Sequence, residues 1–171
     1  MKNSIDILTQ EQLKEFLHYE PLTGIFTWLK LPLKAYSVKV GDIAGTKQHG
    51  YIHIQIFGKK QYAQRLAWLY MTGNWPSKHI DHKNGIRDCN IWCNLRDCTD
   101  SQNQFNAGLS SRNKSGYKGV SWRKATNKWA AYARLYGKQH HLGLFATAEQ
   151  ASDVRQAFAK LHHGEFFKDK P

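Results

Sequence analysis

The sequence predicts an α+β protein: a β-rich N-terminal region, a short β-β-α core, and a small three-stranded antiparallel sheet with one helix at the C-terminal end. Three observations lead there. Tyr51-Ile52-His53-Ile54-Gln55-Ile56 alternates strictly, as a half-buried strand does. Three short strand-like stretches, 119–123, 129–135 and 140–144, are separated by turns at Asn127 and Gly137. Ala151, Val154, Ala157, Phe158 and Leu161 then recur at helical spacing.

Taken in order, Thr9 followed by Gln12 reads as a capping box opening a helix over 9–18, with Leu13, Phe16 and Leu17 on one face. Pro21 and Thr23-Gly24 turn the chain into a strand carrying Ile25, Phe26 and Trp28. After a polar connection, strand 51–56 turns at Gly58-Lys59 into Gln61-Tyr62-Ala63, with Ile52, Ile54 and Ile56 facing a core and His53 facing solvent. Residues 65–72 read as a helix closed by Gly73, burying Leu66, Leu69 and Tyr70. Residues 78–81 and 94–97 pair across a long loop, and Thr99 with Gln102 caps the helix that carries Asn103. Residues 107–117 have the composition of a linker, and Thr147 caps the last helix.

The charge balance says what such a chain meets. It holds 25 Lys and Arg against 13 Asp and Glu, a net charge of +12, with a pI of about 9.7. A charge so far from zero concerns partners rather than fold, and a polyanion fits it. Between 107 and 148 stand Arg112, Lys114, Lys118, Arg123, Lys124, Lys128, Arg134 and Lys138 with no acid among them. Trp122, Trp129, Tyr132 and Tyr136 interleave with these cations, which suits a sheet facing double-stranded DNA. A membrane is not an expected partner. No run of 18 apolar residues exists, no basic amphipathic helix stands out, and MKNSIDILTQ lacks the apolar core of a signal peptide. Cys89, Cys93 and Cys98 form an odd set, which fits a reduced, cytoplasmic compartment. Their C-x3-C-x4-C spacing has no C-x-x-C pair, so zinc is not expected despite His79 and His82 nearby.

The chemistry concentrates in 81–106, DHKNGIRDCNIWCNLRDCTDSQNQFN. Cutting a phosphodiester requires that water lose a proton as it attacks, and an imidazole with a pKa of about 6.5 suits that at neutral pH, a task for His82. The Asp81 carboxylate and the Asn103 amide oxygen are the donors a hard divalent ion prefers, Mg²⁺ first and Mn²⁺ as the alternative. An Asp-His pair or an Asn-rich loop is commonplace by itself. The combination is what carries weight.

That combination, D-H-x-N-G … N-x3-N-L … N, resembles the HNH nucleases. The resemblance implies a ββα-metal core with His82 as general base, Asp81 and Asn103 as metal ligands, Asn94 pinning the loop and Asn90 as a further loop amide. Upstream, Y-x-P-x-T-G at 19–24, R-L-A-W at 65–68 and G-N-W-P at 73–76 resemble the front half of phage-type homing endonucleases. Downstream, SGYKGVSWR, KW-A-A and LGLFAT-A-E-x-A resemble the plant Apetala-type DNA-binding domain, which implies DNA contacts from Arg123, Arg134 and Trp122. The chain departs from those patterns at Gln64, where His is usual, at Cys89 and at Ile91.

The expected organisation is therefore an N-terminal DNA-binding scaffold over 1–76, a nuclease core over 77–106, a basic linker over 107–117 and a DNA-binding sheet domain over 118–168. The expected activity is metal-dependent, site-recognising cleavage of double-stranded DNA inside a bacterial host, one strand per monomer. DNA contacts are expected from Arg65, Lys83, Arg87, Arg96, Arg112, Lys114, Lys118, Trp122, Arg123, Lys124, Lys128 and Arg134. Two alternatives stand beside this: a DNA-binding regulator with an inactive nuclease centre, and a zinc-stapled structural protein. Target sequence, cutting offset and monomer or dimer on DNA are not written in the sequence.

Overall fold

The Gln12 backbone N–H donates to the Thr9 hydroxyl at 3.3 Å, and the Gln12 amide oxygen accepts from the Thr9 N–H at 3.1 Å. This closed box starts helix α1, Gln10–Phe16. The computed structural model describes residues 8–32, 38–106, 109, 112–163 and 166, in two units, Met1–Cys98 and Thr99–Pro171. Of the expected linker, residues 107, 108, 110 and 111 lie outside the described residues.

In the first unit, α1 ends earlier than the sequence suggests, because Leu17–Glu20 leaves the helix as strand β1 and pairs antiparallel with β2, Ile25–Trp28. A three-stranded antiparallel sheet follows: β3 (Thr46–Gln48), β4 (Tyr51–Ile56) and β5 (Lys59–Tyr62), with β4 in the centre. The β4–β5 turn is made by Phe57 and Gly58, both at positive φ, one residue earlier than the expected Gly58-Lys59. Helix α2, Ala63–Thr72, stops at Gly73, whose φ of 75° forms the left-handed cap. Strands β6 (His79–His82) and β7 (Leu95–Cys98) pair antiparallel, and a 3-10 turn at Trp92–Asn94 enters β7.

Leu13, Leu17, Tyr19, Phe26, Ile54, Ile56, Leu66 and Leu69 are at most 2% exposed and form the heart of the core. Burying each is worth roughly 1.5–3 kcal/mol. Ile80 and Leu95 join the same cluster, so the β6–β7 hairpin is fastened to it by its apolar face.

In the second unit, Thr99 and Gln102 form another capping box at the start of α3, Asp100–Asn106. Strands β8 (Val120–Arg123), β9 (Lys128–Leu135) and β10 (Lys138–Phe145) make an antiparallel sheet with β9 in the middle, and α4 spans Ala148–His163. Val120 and Ala131 pack with Ala148 and Ala151. The buried stripe of α4 is Ala148, Ala151, Ser152, Arg155 and Ala159, whereas Val154 and Leu161 are 37% and 78% exposed. Of the expected stripe, Ala151 is buried and Phe158 half-buried, whereas Val154, Ala157 and Leu161 are exposed, because α4 meets the sheet largely through small residues. Among the described residues, no helix is long and apolar enough to cross a membrane.

Candidate active site

Strand β6 ends on two buried polar residues, Asp81 and His82, at 6% and 5% exposure. Burying such groups is costly without partners, so their hydrogen bonds decide the geometry. Asp81 lies opposite Arg96 in the β6–β7 ladder. Arg96 Nε donates to Asp81 Oδ2 at 2.8 Å, and its terminal nitrogen is 2.7 Å from the same oxygen. Arg96, expected to reach DNA, is buried at 8% with its guanidinium engaged on this carboxylate.

His82 Nε2 is 3.1 Å from Asn90 Oδ1. An amide oxygen only accepts, so Nε2 is the donor in this pair. Asn90 is itself fixed from behind: the buried Tyr19 hydroxyl donates to the Asn90 carbonyl at 2.6 Å. Trp92 N–H donates to Pro21 O at 2.9 Å. Gly24 comes so close that a Cβ there would stand 2.3 Å from Asn90 C and 2.4 Å from Ile91 N, and its φ is +75°. The hairpin turn at 19–24 is therefore a buttress for the loop that holds His82. Burial pushes the Tyr19 phenol well above its ordinary 10.

Asn94 closes the loop at its other end. Its Oδ1 accepts from Asn84 N at 2.9 Å, and its Nδ2 donates to Asn84 Oδ1 at 3.1 Å and to Cys89 O at 2.7 Å. The Lys47 ammonium ties down Asp88 and holds that carboxyl below the usual range. Gln64 is 5% exposed, and its Oε1 has no hydrogen-bond partner among the described residues.

Asp81, His82, Asn90 and Asn94 thus share one buried neighbourhood in the first unit, while Asn103 stands on α3 in the second. The donor types, a carboxylate and an amide oxygen, fit a hard divalent ion. Among the described residues, no three His, Cys, Asp or Glu side chains gather as metal ligands.

The remaining expected DNA contacts divide by environment. Arg65 donates to Lys78 O at 2.6 Å and lies over Trp75, and Lys83 donates to Cys93 O at 2.9 Å. Arg87 is exposed, its guanidinium 5.2 Å from the Tyr51 ring centroid. In the second unit, Arg112, Lys114, Lys124, Lys128 and Arg134 are exposed. By register, Arg123, Lys128, Tyr132 and Arg134 lie on the sheet face away from Val120 and Ala131, and Arg123 Nε donates to the Tyr132 hydroxyl at 3.0 Å. Trp122 pairs with Trp129 across the strands, 5.2 Å between centroids, on the face that α4 covers. Strand alternation puts it opposite Arg123, so the two cannot share one DNA-facing surface. Lys118 is half-buried, and burial together with the neighbouring Arg155 charge pushes its ammonium down to about 8.

Sequence reasoning missed the structural use of Tyr19 and Gly24, and the pairing of Arg96 with Asp81. The only signal for the former was the Y-x-P-x-T-G spacing itself.

A buried, amide-anchored histidine stands beside an aspartate at the end of a strand, and residues 61–105 match the HNH endonuclease model: this part of the chain is an HNH endonuclease domain. The chain is 31% identical over 101 residues to Protein 3.8 of Escherichia phage T7, covering 58% of this chain and 83% of that one. It is 34% identical over 113 residues to a protein of Acanthamoeba polyphaga mimivirus named as an uncharacterized HNH endonuclease, L560, covering 64% of this chain. That match spans only 56% of the mimivirus protein. No solved structure matches the chain.

Proposed function

We propose that the chain is a metal-dependent, site-recognising DNA endonuclease of the phage homing type, acting inside the host cell and cutting one strand per monomer. The observation that carries this reading is the buried His82–Asn90 pair beside Asp81. With its proton on Nε2, His82 uses Nδ1 as general base, taking the proton from water as it attacks the scissile phosphate. Asn90 holds the ring's orientation, and Tyr19 and Asn94 hold the loop.

The family pattern assigns Asp81 and Asn103 as ligands of one divalent ion, Mg²⁺ or Mn²⁺, in a ββα-metal core built from β6, β7 and α3. When bound, such an ion supplies positive charge for the phosphate and the leaving oxygen. Arg96 orients the buried Asp81 carboxylate. The second unit is read as an Apetala-type DNA grip. Its support is the three-stranded sheet with Arg123, Lys128 and Arg134 on one face.

One observation favours the rival reading of a DNA-binding regulator: Asp81 already carries a cationic partner in Arg96. Supercoiled plasmid separates the two. The nuclease nicks it with Mg²⁺, stops in EDTA, and loses at least about 10²-fold in rate as His82→Ala. Tight binding to a confirmed target without any nicking favours the regulator, and a His82→Ala variant that cuts normally removes the histidine from the chemistry.

A further inference from the structure

The β3–β4–β5 sheet turns its isoleucines inward, which leaves its other face to polar aromatics. Ile54 and Ile56 are 1% and 2% exposed. Alternation and register then place Gln48, Tyr51, His53, Lys60 and Tyr62 together on the outer face.

The rings there are close. His53 and Tyr62 are 4.4 Å apart by centroid, and Tyr51 and Tyr62 are 5.4 Å apart. Tyr62 is 41% exposed, which is more than a ring recruited only for packing requires. Burial and the adjacent Lys60 charge hold His53 below its ordinary pKa, so the ring is neutral at pH 7. The Arg87 guanidinium stands 5.2 Å over Tyr51, and the Lys60 ammonium donates to the Gln48 amide oxygen. Together these side chains line a cavity of about 480 Å³ with no acid among its described walls. It adjoins the candidate centre, for the Tyr51 ring lies 6.2 Å from that of His82.

A groove with aromatic walls and a cationic rim selects a flat, electron-rich group joined to an anion. In an intact duplex the faces of the bases are stacked on one another, and only their edges reach a protein through the grooves. Exposed rings on an open sheet face become useful when a base leaves the stack. We propose that this groove binds an unpaired nucleobase of the DNA substrate, stacked on Tyr62 and His53 with its phosphate against Arg87 and Lys60. The adjoining phosphodiester is thereby carried toward His82. The preferred substrate is then DNA with an extrahelical or unpaired nucleotide next to the cut, a substrate class the basic charge alone does not specify. The inference rests on the nuclease reading for the identity of the ligand.

The test uses the full-length protein in EDTA, so that nothing is cut. Two duplexes of equal length are compared by fluorescence anisotropy at fixed salt, one perfect and one with a single bulged 2-aminopurine. Stacking on aromatic side chains corresponds to about ten- to a hundredfold in affinity per base. The bulged duplex is expected to bind at least about tenfold more tightly, with the 2-aminopurine emission quenched on binding. In Tyr62→Leu, checked for an unchanged melting temperature, the preference falls to near unity. Arg87→Ala, on an exposed loop, lowers the preference for the bulged duplex by removing the phosphate contact, which keeps the inference falsifiable should Tyr62→Leu misfold; a preference unchanged in Arg87→Ala counts against it. Equal affinities, or a preference that survives Tyr62→Leu, overturns the inference. Plasmid nicking with Mg²⁺, measured on the same preparation, separates this from the nuclease reading. Nicking without bulge preference sinks the groove alone, and bulge preference without nicking sinks the nuclease and leaves the groove standing.

Discussion

The β6–β7 hairpin and the β8–β10 sheet are both small antiparallel structures rich in polar residues, yet they spend them in opposite ways. In the hairpin, Asp81, His82, Asn90, Asn94 and Arg96 are all at most 9% exposed, and each has a named partner. In the sheet, Arg123, Lys124, Lys128 and Arg134 are exposed, and the one anchored guanidinium, that of Arg123, leans on the Tyr132 hydroxyl. Low dielectric and complete hydrogen bonding fix atoms to the accuracy that proton transfer needs. Exposed cations cost little to keep in water and can grip any phosphate backbone. The first arrangement suits chemistry and the second suits affinity.

If that contrast holds, the largest stability effect comes from breaking the buried charge pair. Arg96→Met leaves the Asp81 carboxylate buried without its guanidinium, at a cost of about 3–5 kcal/mol. The double variant Arg96→Met with Asp81→Leu recovers most of that loss, since two apolar groups need no partner. Urea unfolding followed by tryptophan emission measures both. A single variant as stable as the parent would show the pair to be loosely solvated and would erase the difference between the two regions.

A smaller effect sharpens the other side. If Arg123 and Arg134 each meet one phosphate, as proposed for this sheet face, Arg134→Ala and Arg123→Ala each lower the slope of log affinity against log salt by about 0.9. Neither changes nicking at saturating protein. Filter binding between 50 and 300 mM salt reads the slope, and an unchanged slope in both variants removes this face from the DNA interface.

The same division explains what was legible in the sequence. Capping boxes at Thr9, Thr99 and Thr147, the Gly73 cap and the alternation of β4 are local devices, and they stand where their residues put them. Strand β1 was illegible because Leu17–Glu20 has helix-compatible residues and becomes a strand only through β2, a pairing closed by a turn. Strand β3 is exposed at all three positions and carries no periodic signal. At the candidate site the residue types were readable, since the types define the chemistry. Their partners were not. Whether Arg96 meets Asp81 depends on the β6–β7 register, and a slip of one residue would have sent its side chain to the other face. The helical stripe of α4 held at Ala151 and failed at Val154 and Leu161 for a related reason: the close approach of the sheet favoured small residues over larger apolar ones.

The smallest effect probes the buttress behind the hairpin. Tyr19 is 1% exposed and its hydroxyl donates to Asn90 O, so a phenolate there would be buried against a carbonyl oxygen. Its folded pKa is therefore raised, burial being the main cause, while the unfolded phenol titrates at about 10. Below pH 10 both states keep the proton, and the group gives no pH dependence. Above pH 10 the unfolded chain releases a proton that the folded chain retains, so stability falls as pH rises, by at most about 1.4 kcal/mol per pH unit. Tyr19→Phe removes this slope while costing about 1 kcal/mol at neutral pH for the lost hydrogen bond. Melting temperatures of both proteins from pH 8 to 11.5 isolate the term by difference. Parallel curves would mean that the phenol ionises in place, and that the Asn90 loop is held by Pro21, Gly24 and Asn94 without it.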